Sequence, residues 1–511
     1  MTTTDYVALI EAAEVYDVAI RSPLDFAERL SDRLGNDIWL KREDLQPVFS
    51  FKLRGAYNRI RTLTPAEAER GVICSSAGNH AQGVALAAAK RGIAACIVMP
   101  ITTPSIKSDA VRRLGGKVVL HGDNYDEAQA HAHRLAEDDG YVFVHPFDDP
   151  LVIAGQGTIG REILEQSDRL PDAVFIPVGG GGLAAGVASW IRAKAPSVQL
   201  IGVEPADAAS MQAAFAANEP TALPDVGGFA DGVAVRQVGH ETYRVCRDLL
   251  DEIVTVDTDE TCAAIQDLFE ETRSIVEPAG ALAVAAIAKT VAERGWQAKR
   301  LVALNCGANM NFDRLRHVVE RSAIGKQTEA LLAVEIPERP GSFLEFCSAI
   351  GRRSVTEFNY RATDSNVAHL FVGIGLAGGN AEKQSLLDEL STAGYVAVDL
   401  SDNDLAKLHV RHMIGGIGTA RANERLYRFR FPERPGALAK FLRAVGSGLN
   451  ISLFHYRNHG SDYGRVLAGI EVDDAHVAEL TEHFDSLGYP YWDETDNAAY
   501  RLFLRSGPSM P

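Results

Sequence analysis

The sequence predicts an α/β protein in two parts: a doubly wound parallel-sheet segment, then a duplicated α+β segment. Three observations carry this. Short apolar runs alternate with alanine-rich helical stretches up to about Ala323. Two loops, Ser75-Ser76-Ala77-Gly78-Asn79-His80 and Gly179-Gly180-Gly181-Gly182-Leu183, each follow such a run directly. Beyond Gly325 a pattern repeats. Pro337-Glu338-Arg339-Pro340-Gly341 returns letter for letter as Pro432-Glu433-Arg434-Pro435-Gly436. Phe358-Asn359-Tyr360-Arg361 returns as Phe454-His455-Tyr456-Arg457, and Leu370–Leu376 as Val466–Val472. Three matches in order, offset by 95 and then 96 residues, indicate a duplicated domain.

In the first part, Gly71–Cys74 reads as a buried strand ending at Ser75, Ala81–Arg91 as a helix and Ile93–Met99 as the next strand. Lys117–Leu120, Ala173–Val178, Gln199–Val203 and Leu301–Leu304 continue the strand series. Continuous apolar strands separated by helices mean a parallel sheet covered on both faces. Ligands of such sheets sit beyond the carboxyl ends of the strands. Both glycine-bearing loops are therefore expected at that edge. Leu183–Trp190 reads as a helix opened by the four glycines.

In the second part, Leu331–Ile336 is strand-like, the Pro-Glu-Arg-Pro-Gly pentapeptide breaks it, and Ser342–Ile350 reads as a helix. Each copy reads β-α-β-β-α, a small antiparallel sheet with helices on one face. Residues Leu405–Asn423, with Gly415-Gly416-Ile417-Gly418, read as the connection between copies. The expected domains are residues 1–325, built of two α/β subdomains, 330–402 and 425–496, in keeping with the two to four domains that 511 residues imply.

Composition narrows the function. The chain is 46% hydrophobic and 23% charged, as ordinary globular proteins are. Its net charge of −17 argues against nucleic acid or an anionic membrane as partner, since both demand a basic face. The six cysteines are scattered without a C-x-x-C pair, so neither a disulfide framework nor a paired-cysteine zinc site is expected. The N-terminus carries no signal-peptide pattern and the apolar runs are too short to span a bilayer, which points to the cytoplasm.

The chemistry centres on Lys52 in Ser50-Phe51-Lys52-Leu53-Arg54-Gly55-Ala56. Alone it reads as a solvated helix lysine. Followed by the two loops, it reads as an amine that forms a Schiff base with an aldehyde cofactor. Gly179–Gly182 before a helix can bring several backbone N–H groups onto a phosphate; the alternative is a flexible linker. Ser76, Gly78, Asn79 and His80 form a capped helix start that can hold a substrate carboxylate. Cys306 follows the strand Leu301–Leu304 and on its own would be a core thiol.

These segments resemble the β-family (fold type II) of pyridoxal enzymes, with the tryptophan synthase β-like fold, and within it the threonine and serine dehydratases. The two repeats resemble the ACT-like regulatory domains of biosynthetic threonine dehydratases, so the likeness covers essentially the whole chain. It implies pyridoxal 5'-phosphate as cofactor, contacted by Phe51, Lys52, Asn79, Gly179, Gly180, Gly181, Gly182, Leu183 and Cys306. Lys52 is implied as the catalytic residue, Asn79 as partner of the cofactor's phenolic oxygen and Cys306 as the group facing its pyridine nitrogen. It also implies L-threonine as substrate, isoleucine and valine as effectors, and a homotetramer. Tyr360 and Tyr456 are the expected allosteric residues, because positions two apart in a strand share a face with Phe358 and Phe454; ordinary core aromatics are the alternative. Glu204 resembles a divalent-metal ligand of racemase relatives, but Ser210 stands where a second acid is expected, so no metal is assigned. Glu277 and Phe229-Ala230-Asp231-Gly232 resemble site-lining pieces. The rivals are a serine dehydratase or racemase, and an amino-acid sensor with a dead catalytic domain. Ala77 precedes the glycine of the Ser76–His80 motif, where a racemase commonly carries a serine, and alanine cannot carry a proton.

Overall fold

The protein is described here by a computed structural model over residues 4–337, 342–351, 353–361, 367–412, 423–432, 441, 450–457 and 463–504. The chain divides into two compact units, Met1–Val318 and Val319–Pro511.

The first unit contains β1 (Leu24–Phe26), β2 (Asp37–Arg42), β3 (Val72–Ser75), β4 (Ala95–Met99), β5 (Lys117–Leu120), β6 (Val142–Phe143), β7 (Ala173–Pro177), β8 (Gln199–Pro205), β9 (Glu252–Val256) and β10 (Arg300–Asn305). The parallel reading holds, and the strands form two sheets. The larger has the order β1-β2-β10-β7-β8-β9 and the smaller β5-β4-β3-β6. Every pairing is parallel except β1 on β2. Local pattern cannot separate the sheets, because each strand–helix repeat looks alike and only long-range pairing assigns it. Each residue of β3, β4, β7 and β10 is buried, which is why these segments are continuous apolar runs.

One helix, Pro150–Gln166, positions two functional helices by backbone contact. A Cβ on Gly155 would lie 2.6 Å from Gly55 Cα in the helix Lys52–Arg61. A Cβ on Gly186, in the helix Gly182–Lys194, would lie 2.3 Å from Ile153 O. Side chains at these glycines would push the lysine helix or the glycine-loop helix away.

The second unit contains two four-stranded antiparallel sheets. The first has β11 (Glu329–Pro337), β12 (Val355–Arg361), β13 (Val367–Gly375) and β14 (Val396–Asp399), in the order β12-β13-β11-β14. The second has β15 (Glu424–Pro432), β16 (Asn450–Arg457), β17 (Tyr463–Glu471) and β18 (Tyr491–Asp493), in the order β16-β17-β15-β18. Each copy thus closes with a strand that the expected β-α-β-β-α order lacks. β14 and β18 are short and hold no fully buried residue, so they leave no strong apolar signature.

The inter-copy connection also needs correction: it begins with a helix, Asp404–Leu408, whose Leu405, Ala406 and Leu408 are buried. With Leu331, Ala333 and Phe371 of one copy and Leu426 and Leu467 of the other, Leu405 and Ala406 form a core shared by the copies. Gly415–Gly418 and residues 338–341 and 433–436 of the repeated pentapeptide lie outside the described residues.

Candidate active site

Lys52 opens its helix, and its segment is laced to the residues after β10. Phe51 N–H donates to Cys306 O (3.3 Å), Ala308 N–H donates to Phe49 O (2.8 Å), and Ser50 bridges Gly307. Cys306 and Lys52 are thereby neighbours although 254 positions separate them. Lys52 Nζ donates to Pro146 O at 3.0 Å. Burial lowers its pKa to about 8, against the opposing pull of Cys306 and Glu277. A neutral amine, the nucleophilic form, is then accessible near neutral pH.

The four glycines are required by space. A Cβ would lie 2.9 Å from Val233 Cα at Gly179, 2.2 Å from the Phe147 ring at Gly180, 2.7 Å from Met211 Cε at Gly181 and 2.8 Å from Phe147 O at Gly182. Gly181 also has φ +93°, where a side chain is strained. Thr242 Oγ1 donates to Gly180 O (2.6 Å) and fixes the loop. With Gly182 and Leu183 opening the helix, the first-turn N–H groups lack intrahelical acceptors and the helix dipole favours an anion there.

The Ser75 loop occupies the carboxyl end of β3, and Asn79 starts the helix Asn79–Arg91. Asn79 Nδ2 donates to Glu277 Oε1 (2.6 Å), and Asn79 Oδ1 accepts from Asn309 Nδ2 (2.6 Å). One amide hydrogen of Asn79 is left for another acceptor. Burial, then Asp231, raises the Glu277 carboxyl to about 7. Gly78 N–H donates to Ser76 Oγ (3.2 Å), and open space surrounds the Gly78 Cβ position. His80 is buried with Nε2 on Val144 O (2.9 Å); burial, then Lys52, lowers its pKa to about 3, so the ring is neutral. The Cys306 thiol donates to Ala279 O (3.2 Å), and burial holds its pKa well above the ordinary value. It is therefore an uncharged group.

Ser50 Oγ, Ser75 Oγ, His80 Nδ1 and both polar side-chain atoms of Asn305 are buried without a partner. These orphaned atoms flank Lys52, the Asn79 loop and Cys306. Buried polar atoms are ordinarily paired, so the site is short of a polar occupant. A partly buried amine of lowered pKa, a backbone cradle for a phosphate and a neutral thiol fit pyridoxal 5'-phosphate.

The structure adds residues that the sequence reading did not single out. On the segment after β6, Pro146 O accepts from Lys52 and Phe147 walls the glycine loop. Asp148 receives the N–H groups of His240, Glu241 and Thr242, fastening that segment to the helix His240–Leu249. Their signal was available: a strand, then a loop, then Pro150 at a helix start, as at the other two loops. Beneath Lys52, Arg54 is fully buried between Glu43 (2.8 Å) and Glu162 (2.6 Å), and Lys41 also reaches Glu162 (2.6 Å).

Glu204 is buried, and its carboxylate accepts from Met211 N–H and Gln212 N–H, both at 2.8 Å. Among the described residues no group of three or more His, Cys, Asp or Glu could hold a metal. Asp231 joins Lys107 (2.7 Å) and Arg314 (2.9 Å). Tyr360 and Tyr456 lie in β12 and β16, opposite Leu370 and Val466. Those partners belong to the core of each copy. The tyrosine side chains lie outside the described residues.

The family of pyridoxal-phosphate dependent enzymes matches residues 15–307. The C-terminal regulatory domain of threonine dehydratase matches twice, over 320–410 and 415–504. The biosynthetic L-threonine dehydratase IlvA of Escherichia coli K12 is 53% identical over 500 residues, covering 98% of this chain and 97% of that protein. The same enzyme from Burkholderia multivorans is 52% identical, covering 99% and 100%. Among solved structures, the processed form of threonine deaminase isoform 2 from Solanum lycopersicum is 53% identical with TM-score 0.61, covering 62% of this chain and 92% of that one. Maize serine racemase is 31% identical with TM-score 0.57, covering 62% and 96%. On these likenesses, and on a site fit for the cofactor, the chain belongs to the biosynthetic L-threonine dehydratase family of pyridoxal-phosphate dependent enzymes.

Proposed function

We propose that this chain is an L-threonine ammonia-lyase that converts L-threonine to 2-oxobutanoate and ammonia, the committed step toward isoleucine. The observation that carries the reading is the partly buried Lys52, its pKa lowered by desolvation, between Pro146 O and the Cys306 segment, with the glycine cradle walled by Phe147. When bound, pyridoxal 5'-phosphate supplies the carbonyl that captures the substrate amine and the electron sink for the Cα charge. Phe51, Lys52, Asn79, Gly179–Gly182, Leu183 and Cys306 would hold it.

The chain's own residues do the rest. Ser76, Gly78, Asn79 and His80 bind the substrate carboxylate at the start of their helix. Asn79, held by Glu277 and Asn309, keeps one N–H for the cofactor's phenolic oxygen. Lys52 Nζ, once displaced, takes the Cα proton. The β-hydroxyl then departs as water, and hydrolysis of the released enamine gives the keto acid and ammonia. Cys306, being neutral, would offer the cofactor's pyridine nitrogen no counter-charge to hold a proton there, which would favour expulsion of a β-group over transamination. Residues 1–325 are the catalytic domain, and 330–402 and 425–496 are ACT-like regulatory copies. The protein works in the cytoplasm as a homotetramer; no helix among the described residues is long and apolar enough to cross a membrane.

Incubating the holoenzyme with L-threonine and L-serine separately tests the assignment. Threonine should give equal amounts of 2-oxobutanoate and ammonia. Accumulation of D-serine as main product would move the assignment to a racemase.

Cys306→Ser should keep activity within about tenfold, since a hydroxyl is also neutral and hydrogen-bonding. Cys306→Asp should divert flux to transamination or racemisation, read as pyridoxamine phosphate or D-amino acid. An inactive, folded serine variant would assign Cys306 another role.

Isoleucine should inhibit and valine should relieve inhibition, through residues after Gly325. The effector must favour a low-activity state; tight binding alone shifts nothing. Truncation after Ser322 should abolish isoleucine sensitivity, and substitution of Tyr360 or Tyr456 should move the dose-response. Unchanged inhibition in a folded truncated enzyme would place the effector site in the first unit.

A further inference from the structure

Two backbone N–H groups on the segment after β6 end on a ring nitrogen. Phe147 N–H and Asp148 N–H donate to His145 Nδ1 at 3.3 and 2.8 Å. In an Asx turn a side-chain oxygen of Asn or Asp takes this part, accepting from N–H groups a few residues further on. Here an imidazole closes the turn. The geometry also places the proton: Nδ1 must present its lone pair to both donors, so the ring hydrogen is on Nε2. The ring is partly buried. Desolvation lowers its pKa to about 4, with Asp148 and Asp149 opposing and Lys52 and His133 acting in the same sense. It is therefore a neutral acceptor near pH 7. The ring also packs edge-on against Phe147, with centroids 4.7 Å apart and planes at 89°.

The turn that His145 closes carries three parts of the site. Pro146 O, inside it, accepts from Lys52 Nζ at 3.0 Å. The Phe147 ring stands 2.2 Å from the Cβ position of Gly180, and Phe147 O and Cα stand 2.8 and 3.0 Å from that of Gly182. Asp148 accepts from the N–H groups of His240 (3.1 Å), Glu241 (3.0 Å) and Thr242 (3.0 Å), and Thr242 Oγ1 donates to Gly180 O (2.6 Å). The amine, the cradle and the helix His240–Leu249 are therefore all held against one short turn. The glycines admit Phe147 so closely that a shift of the turn would reshape the cradle and move the acceptor of Lys52 together.

We propose that His145 is a positioning residue for the cofactor site: its Nδ1 holds the turn of residues 145–148 so that Pro146 O meets the Lys52 amine and Phe147 backs the glycine cradle. What the position requires is a lone pair, not a charge and not a proton donor. Without it two N–H groups in a partly buried turn lose their acceptor, and the turn relaxes to find another. The proposal rests on the placement of pyridoxal 5'-phosphate at Lys52 and Gly179–Gly182.

Two variants separate the lone pair from the ring. His145→Phe keeps an aromatic ring and loses the acceptor. His145→Asn loses the ring and keeps an acceptor oxygen suited to the same N–H groups. Each holoenzyme is resolved with hydroxylamine and titrated back with pyridoxal 5'-phosphate, and binding is read from the absorbance of the bound cofactor. His145→Phe should raise the cofactor Kd by about tenfold or more, because the orphaned N–H groups displace the turn. His145→Asn should stay within about threefold of the wild type, because its oxygen restores the acceptor. The kcat for threonine at saturating cofactor should follow the same order, asparagine above phenylalanine. A ring that only fills space predicts the reverse, with the phenylalanine variant near the wild type and the asparagine variant impaired. That reverse order, or wild-type cofactor affinity in His145→Phe, would overturn the proposal. Should His145→Phe fail to fold, the asparagine variant decides alone: affinity within about threefold supports the lone pair, and a loss of about tenfold or more overturns it. Borohydride labelling of the wild type at a lysine other than Lys52 would overturn the placement and the proposal with it; labelling at Lys52 with the reverse order would overturn the proposal alone.

Discussion

Lys52→Ala should lower threonine turnover by at least about 10³-fold, because one side chain serves both as covalent anchor and as Cα base. Lys52 is partly buried with its amine on Pro146 O. The variant should stay folded. Deleting the side chain removes a desolvated amine rather than a packed apolar group, and the Arg54 cluster below is untouched. The measurement is kcat with threonine beside the far-ultraviolet circular dichroism of both proteins. Turnover within tenfold of wild type in a folded Lys52→Ala protein would remove Lys52 from the chemistry.

Arg54→Leu should cost about 3–5 kcal/mol of stability, the penalty for taking one partner from a buried ion pair. Arg54 Nε and Nη2 bond Glu43 (both 2.8 Å), its Nη1 bonds Glu162 (2.6 Å) and Thr158 (3.1 Å), and Nη2 also reaches Ile20 O (3.1 Å). Its removal leaves Glu43 and Glu162, both fully buried, with Lys41 as the one cation among the described residues in contact with Glu162. Arg54→Lys should recover only part of the loss, because a single ammonium cannot span two carboxylates as a five-donor fork does. Denaturant unfolding of the holoenzyme reads both variants. A leucine variant with the wild-type midpoint would show that the cluster contributes nothing net. Arg54 sits two residues after Lys52 on one helix, so the loss should also loosen the amine and raise KM and lower kcat together.

Those charges show why some of the site was legible in the sequence and some was not. Lys52, the four glycines and the Ser76–His80 turn are local: each is a short run whose chemistry is set by its neighbours. The strands buried on both faces are equally plain, since continuous apolar runs leave little choice. The repeats were legible because duplication writes the same turn twice. The Arg54 cluster was not, because Lys41, Glu43, Arg54 and Glu162 come from separate segments and each alone reads as a solvated charge. Glu277 and Asn79 are 198 positions apart, and only the fold makes them hydrogen-bond. Two subdomains were expected, but which strand joins which sheet depends on pairings such as β10 between β2 and β7, a choice that no local pattern contains. β14 and β18 escaped notice because they hold no fully buried residue.

The placement of the cofactor can be read directly by trapping it. The holoenzyme is reduced with borohydride, digested and sequenced by mass spectrometry. The expected result is a phosphopyridoxyl group on one peptide, at Lys52 within Ser50-Phe51-Lys52-Leu53-Arg54. A stoichiometric label on any other lysine, or an active enzyme that takes up no label, would contradict the site described here.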